Sequence, residues 1–159
     1  FSYPLTGVPP SAVGELKRMM ESVASVVESC AECGVYLPHL NTDPTANSVV
    51  PEGAIRSTDY AMVAGAKLVV AFLEPVSAGV AIELEWCVHF QIPVIACAQK
   101  KVLTREFGYQ PISRLVKDTV NATRHAWFGY VKPPRSDRFM RELDERMLSV
   151  FIGKVVKTF

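Results

Sequence analysis

A chain of 159 residues fits one domain and is long enough to bury a core of its own. Apolar residues make up 49% and charged residues 21%, with 17 Lys and Arg against 16 Asp and Glu, an ordinary globular balance. A charge of +1 supplies no global field for nucleic-acid polymers or an anionic membrane, although one phosphate can still be held locally.

The four cysteines are Cys30, Cys33, Cys87 and Cys97. Cys30 and Cys33 form a lone C-x-x-C with no second pair and no His pair beside it, short of a zinc or redox site. Reduced thiols packed as small apolar side chains, in a cytoplasmic protein without metal or cofactor, are the expectation. No apolar run reaches the roughly 18 residues of a membrane span.

Strands and helices alternate along the chain. Phe1 to Tyr3 reads as a short first strand that runs into a Pro/Gly-rich turn, Pro4 to Pro10. Ser11 caps a helix whose apolar positions (Val13, Leu16, Met20, Val23, Val26, Val27) recur every three or four residues, and Gly34 ends it. Val35 to Leu37 reads as a second strand and Pro38 to Gly53 as a long loop, which in a compact domain points to function. A short helix over Ile55 to Ala64 precedes KLVVAFL, Lys67 to Leu73, a continuous apolar run suited to a strand covered on both faces. Glu74 to Ala78 forms a turn, Gly79 to Phe90 a helix and Pro93 to Ala98 the next buried strand. Gln99 to Gln110 reads as loop, Ile112 to Lys117 as a short helix, Ala126 to Val131 as the last strand, and Ser136 caps a closing helix to about Phe151. The sum is one α/β domain over residues 1–159: a flavodoxin- or Rossmann-like three-layer sandwich with a mostly parallel, five-stranded sheet.

Ligands in such sheets bind outside the carboxyl ends of the strands. Three strand ends therefore matter: Pro4 to Gly7, His39 to Asp43, and Glu74 to Glu83. In the third, Ser77, Gly79 and a helix N-terminus suit a phosphate or carboxylate. Glu83 follows one turn on, among the apolar Ile82, Leu84 and Trp86, as a partner for an Arg or as a working group. His39, after the second strand and expected at the pocket rim, suits ligand binding or proton transfer, with Asn41 or Asp43 as hydrogen-bonding groups beside it; a turn held by local hydrogen bonds is the alternative. His89 and His125 read as structural or exposed, and Trp127, Phe128 and Tyr130 as core or dimer packing.

Residues 57–98 resemble the core of the nucleoside 2-deoxyribosyltransferase superfamily, and more nearly its 2′-deoxynucleoside 5′-phosphate N-hydrolases. That pattern has an Asp opening a helix before the central strand, then acidic-x-x-Ser-x-Gly-x-Gly-x-Glu-Leu; it falls here on Asp59, Glu74, Ser77, Gly79, Ala81, Glu83 and Leu84. The resemblance implies cleavage of an N-glycosidic bond in a small nucleoside or nucleotide. Glu83 would attack the anomeric carbon, and Asp59 would hold sugar hydroxyls or assist protonation of the base. Ser77 would bind a 5′-phosphate, with Gly79 and the loop from Tyr3 to Gly7 around it. Ile112 to Val116 resembles the segment that lends a second serine from a neighbouring subunit, which implies a homodimer with a shared site and makes Ser113 the candidate. Four departures stand out, one of them Glu85 and Cys87 in place of the small residues that usually follow the Glu-Leu. Ala81 replaces the second motif glycine, Pro4 lacks an N–H for a phosphate, and the first-strand tyrosine that often assists the nucleophile falls before Phe1 unless Tyr3 serves. A base-exchanging transferase and a nucleotide sensor without turnover are the competing readings.

Overall fold

The computed structural model describes residues 1–5, 10–31, 33–43, 50–73, 77–103, 112–130 and 151. In chain order these form α1 (Pro10–Ala31), α2 (Pro38–Asn41), α3 (Glu52–Ala64), β1 (Val69–Phe72), α4 (Ala78–Phe90), β2 (Val94–Gln99), α5 (Lys100–Leu103), α6 (Arg114–Asn121) and β3 (His125–Tyr130). The three strands make one parallel sheet in the order β1-β2-β3, with Val69 opposite Val94 and Val94 opposite His125.

The sheet is covered on both faces, which explains why β1 and the first five residues of β2 are buried without a polar side. Successive side chains alternate between two cores. Val69, Ala71, Leu73, Val94, Ala96 and Ala98 meet Val63 of α3, Leu84 and Cys87 of α4, and Val116 and Val120 of α6. Val70, Phe72, Ile95, Cys97 and Phe128 meet Met20, Val23, Ala24 and Val27 of α1. The result is a three-layer α/β arrangement. Ile95, fully buried in the central strand, is a sensitive point. Ile95→Ala is expected to cost about 2–5 kcal/mol by denaturant unfolding, through lost burial and a residual cavity.

The expected first strand is reduced to one bridge: Ser2 lies parallel to Ala71, its N–H donating to Val70 O at 2.9 Å and its carbonyl accepting from Phe72 N at 2.7 Å. Beyond it, Phe1 N donates to Tyr36 O at 3.0 Å, so the extended segment around Tyr36 flanks the same edge without forming a strand. Three of the five expected strands are thus formed among the described residues. The expected loop after Leu37 opens instead with α2, which starts on Pro38, a residue whose fixed φ and missing N–H suit a first helical turn. The expected loop from Gln99 likewise opens with α5. The closing helix falls outside the described residues except for Phe151, whose ring lies 5.2 Å from that of Phe128.

α4 is bounded as its sequence suggests. Ser77 is the N-cap, its Oγ accepting from Val80 N at 3.2 Å. At the other end Gln91 takes a left-handed conformation (φ 57°), and Ile92 N closes on Cys87 O at 2.9 Å. A side chain is disfavoured there, so Gln91→Gly is expected to raise stability by up to about 1 kcal/mol in thermal unfolding.

Candidate active site

α3 and α4 pack side by side on one face of the sheet, and this brings Asp59 and Glu83 to one cavity. The cavity measures about 1160 Å³ and reaches from the sheet edge where Phe1, Ser2 and Tyr36 lie to Leu68, Pro93 and Arg124, which precede the three strands, so it is not confined to the carboxyl ends expected from the sequence. Glu83 occurs in a helix that is apolar almost all round, so its position on the inner side of α4 is set by Val80, Leu84 and Cys87, which anchor the helix on the core.

Burial pushes the Glu83 carboxyl up to about 7, and the negative charge of Asp59 adds to the rise. The Ser2 hydroxyl opposes it. Ser2 Oγ is buried with no partner in full hydrogen-bond geometry, and the Glu83 carboxyl is the acceptor it acts on. Among the described residues no Lys or Arg stands within ion-pair distance of Glu83. A carboxyl that titrates near neutrality in a cavity is suited to proton transfer or to attack on an electrophilic carbon. One turn further along α4, burial and the Glu83 charge push the Cys87 thiol up to about 12, too high for a thiolate nucleophile.

Asp59 is held differently. Tyr36 Oη donates to its Oδ1 at 3.0 Å and Thr42 Oγ1 lies 3.2 Å from the same oxygen. Burial raises its pKa, and these two hydroxyls pull it back. Two carboxyls in one cavity therefore have unlike surroundings, the arrangement that separates acid from base roles in many enzymes.

Ser77 spends a lone pair of Oγ on capping α4, which leaves its O–H proton for another acceptor. At Gly79 an added Cβ would lie 3.8 Å from Ser77 Oγ, ordinary contact, so packing does not require glycine there. Gly79 is exposed at the N-terminal turn of α4, where free N–H groups and the helix dipole favour an anion. Gly7 and Glu74 lie outside the described residues.

Among the described residues, only Asp59 and Glu83 of the predicted site line this cavity; Ser77, Gly79, Tyr3, His39, Asn41 and Ser113 do not. Tyr3 is buried against α1, and its hydroxyl bonds His39 Nδ1, whose Nε2 meets Glu21 Oε1 at 2.9 Å. The physical reason is the pleat: in an extended segment Ser2 and Tyr3 point to opposite faces, so Ser2 acts on Glu83 and Tyr3 cannot. His39, expected at the pocket rim, is 6% exposed and belongs to that α1-side network. Asn41 turns its amide back to Leu37 O at 3.1 Å, and Asp43 is buried in an ion pair with Lys17. Ser113 is exposed and N-caps α6 without a side-chain cap bond. Removing the His39 imidazole would take the acceptor from the buried Tyr3 O–H, leaving that oxygen only the main-chain N–H of residue 39 at 3.3 Å; His39→Ala is expected to cost about 1–3 kcal/mol in denaturant unfolding.

Sequence reasoning missed Ser2, Tyr36 and Thr42. Period-two alternation from Tyr3 would have pointed to Ser2. Nothing in sequence spacing joins Tyr36 and Thr42 to Asp59, because that contact is made by the tertiary fold.

Among the described residues no group of His, Cys, Asp and Glu could hold a metal ion, and no helix is long and apolar enough to cross a membrane. No family model and no curated protein matches the chain. Among solved structures, the chain is similar to the CMP N-glycosidase BcmB of Clostridium botulinum, with a TM-score of 0.60 and 16% identity over 87% of this chain and 92% of that one. At that identity the likeness lies in the fold, which the two chains share over nearly their whole lengths.

Proposed function

We propose that the protein hydrolyses the N-glycosidic bond of a nucleoside 5′-monophosphate. The observation that carries this reading is the meeting of Glu83 and Asp59 in one cavity, with the Glu83 carboxyl titrating near neutrality. The motif resemblance and the fold likeness to a CMP N-glycosidase support the same chemistry.

In this reading ionised Glu83 attacks the anomeric carbon through an oxocarbenium-like transition state. The carbon–nitrogen bond breaks, its electron pair stays on the base, and the base takes up a proton. Water then adds to the same carbon, gives up the proton that balances the one taken by the base, and releases the Glu83 carboxylate, giving sugar phosphate and free base. Ser77 and the N–H groups of the first turn of α4 receive the 5′-phosphate. No cofactor is needed. In a homodimer Ser113 of the partner subunit would complete the phosphate site.

The test is a panel of ribo- and deoxyribonucleoside 5′-monophosphates, with free base followed by chromatography and Glu83→Ala as the silent control. Release from one or more substrates supports the reading. Release from none, with ligand binding intact, would favour a nucleotide sensor. A second free base added to the reaction separates the chemistries, because a swapped nucleoside forms only if the enzyme is a transferase. Gly79→Ala should leave the fold intact and raise KM for the monophosphate relative to the free nucleoside, since the new methyl crowds the phosphate and not the core.

A further inference from the structure

Asp59 receives two hydroxyls on a single oxygen. Tyr36 Oη and Thr42 Oγ1 both lie within hydrogen-bond distance of Oδ1 and stand 3.4 Å from each other. Among the described residues no donor meets Oδ2. Thr42 carries one hydroxyl proton and faces two acceptors at 3.2 Å, Asp59 Oδ1 and Pro38 O. An ionised carboxylate is the stronger acceptor of the two, so the proton goes to Asp59 while Asp59 is charged and can turn to Pro38 O if it is neutral. Tyr36 stays a donor over any working pH, because burial pushes its phenol up to about 12.

We propose that Tyr36 and Thr42 are positioning residues that clamp Asp59 as a one-sided acceptor. Both donors are spent on Oδ1, and Oδ2 is left to accept a hydroxyl from a ligand in the cavity. The inference rests on the glycosidase reading and deepens it: Asp59 reads a sugar hydroxyl, and the proton for the leaving base comes from elsewhere. A carboxyl that served as proton donor would be better placed without two donors stabilising its charged form. The groups facing it from the neighbouring elements are Tyr36 from the extended segment, Thr42 from the end of α2 and Glu83 from α4. Burial resists the charge on Asp59, and the two hydroxyls act against that resistance.

The experiment uses the whole chain carrying Tyr36→Phe, Thr42→Val, both together, or Thr42→Ser. The Asp59 carboxyl is titrated by carbon-13 NMR without ligand and assigned with Asp59→Asn; near-ultraviolet circular dichroism reports folding. The double variant should bind the Asp59 proton about tenfold more tightly, while Thr42→Ser keeps the wild-type titration. With a monophosphate that is turned over, Tyr36→Phe should raise KM roughly tenfold with little change in kcat, the mark of a lost binding contact. An Asp59 titration unmoved in a folded double variant would overturn the clamp, and so would a fall in kcat at constant KM, which would make Asp59 the proton donor. If the double variant does not fold, Tyr36→Phe alone decides by the same two readouts. A protein that releases no base at all would sink the glycosidase reading, while the NMR titration would still decide the clamp.

Discussion

Glu83→Ala lowers the rate of free-base release by on the order of 10³-fold or more, while nucleotide binding survives. The size of the effect follows from what is removed. Without the carboxylate there is no group to trap the anomeric carbon, and the developing positive charge on the sugar loses a largely buried partner. Asp59→Asn should cost less, because an amide still accepts a hydrogen bond through its oxygen. If the two carboxyls act as a unit, Asp59→Asn adds little when Glu83 is already absent. Steady-state kinetics on the four enzymes of that cycle check both statements. A Glu83→Ala enzyme that retained wild-type base release would remove the proposed chemistry, whatever the fold.

The second large effect is on stability, and its sign is set by proton binding. A free Glu carboxyl ionises near 4.5, whereas Glu83 in the folded protein does so at about 7. Between these values the unfolded chain has released the proton and the folded chain still holds it, so stability falls as the pH rises through this window. Complete ionisation costs the folded state about 3 kcal/mol, since each pH unit of displacement is worth about 1.4 kcal/mol. Glu83→Gln keeps the shape of the side chain and carries no charge at any pH. It is therefore expected to match the wild type near pH 4 and to exceed it by up to about 3 kcal/mol at pH 8. Denaturant unfolding at the two pH values reads this directly. The same titration gives activity a rising limb centred near pH 7, because only ionised Glu83 attacks. A more stable and inactive Gln variant is the signature of a carboxylate kept for chemistry at the expense of the fold.

The elements legible in the sequence were those with strong, local signals. VVAF of β1 and VIACA of β2 read as strands because a doubly covered strand has no polar face to confuse the pattern. α4 was legible because Ser77 caps it and because the motif around Glu83 has a fixed frame. Glu83 and Asp59, 24 positions apart in sequence, were joined by resemblance to a family and then by the packing of α3 on α4. The segment from Gly34 to Asp43 was harder. Val35-Tyr36-Leu37 has strand composition, yet among the described residues its one main-chain bond to the neighbouring segment is the one from Phe1, and Pro38 then starts a helical turn inside an expected loop. His39 read as a functional group at a rim because its partners Tyr3 and Glu21 are distant in sequence, and burial in such a network has no local signature.

The placement of Ser2 toward Glu83 and of Tyr3 toward α1 has a consequence for how the amino-terminal segment can vary. Point substitutions there change one contact at a time. Insertion or deletion of a single residue between Ser2 and its pairing with Ala71 would instead invert both sides together, because a pleated segment shifted by one exchanges its faces. A bulky phenol would then enter the cavity beside the carboxylates, and a small hydroxyl would sit under α1 opposite His39. Length at this edge is therefore under tighter constraint than residue identity.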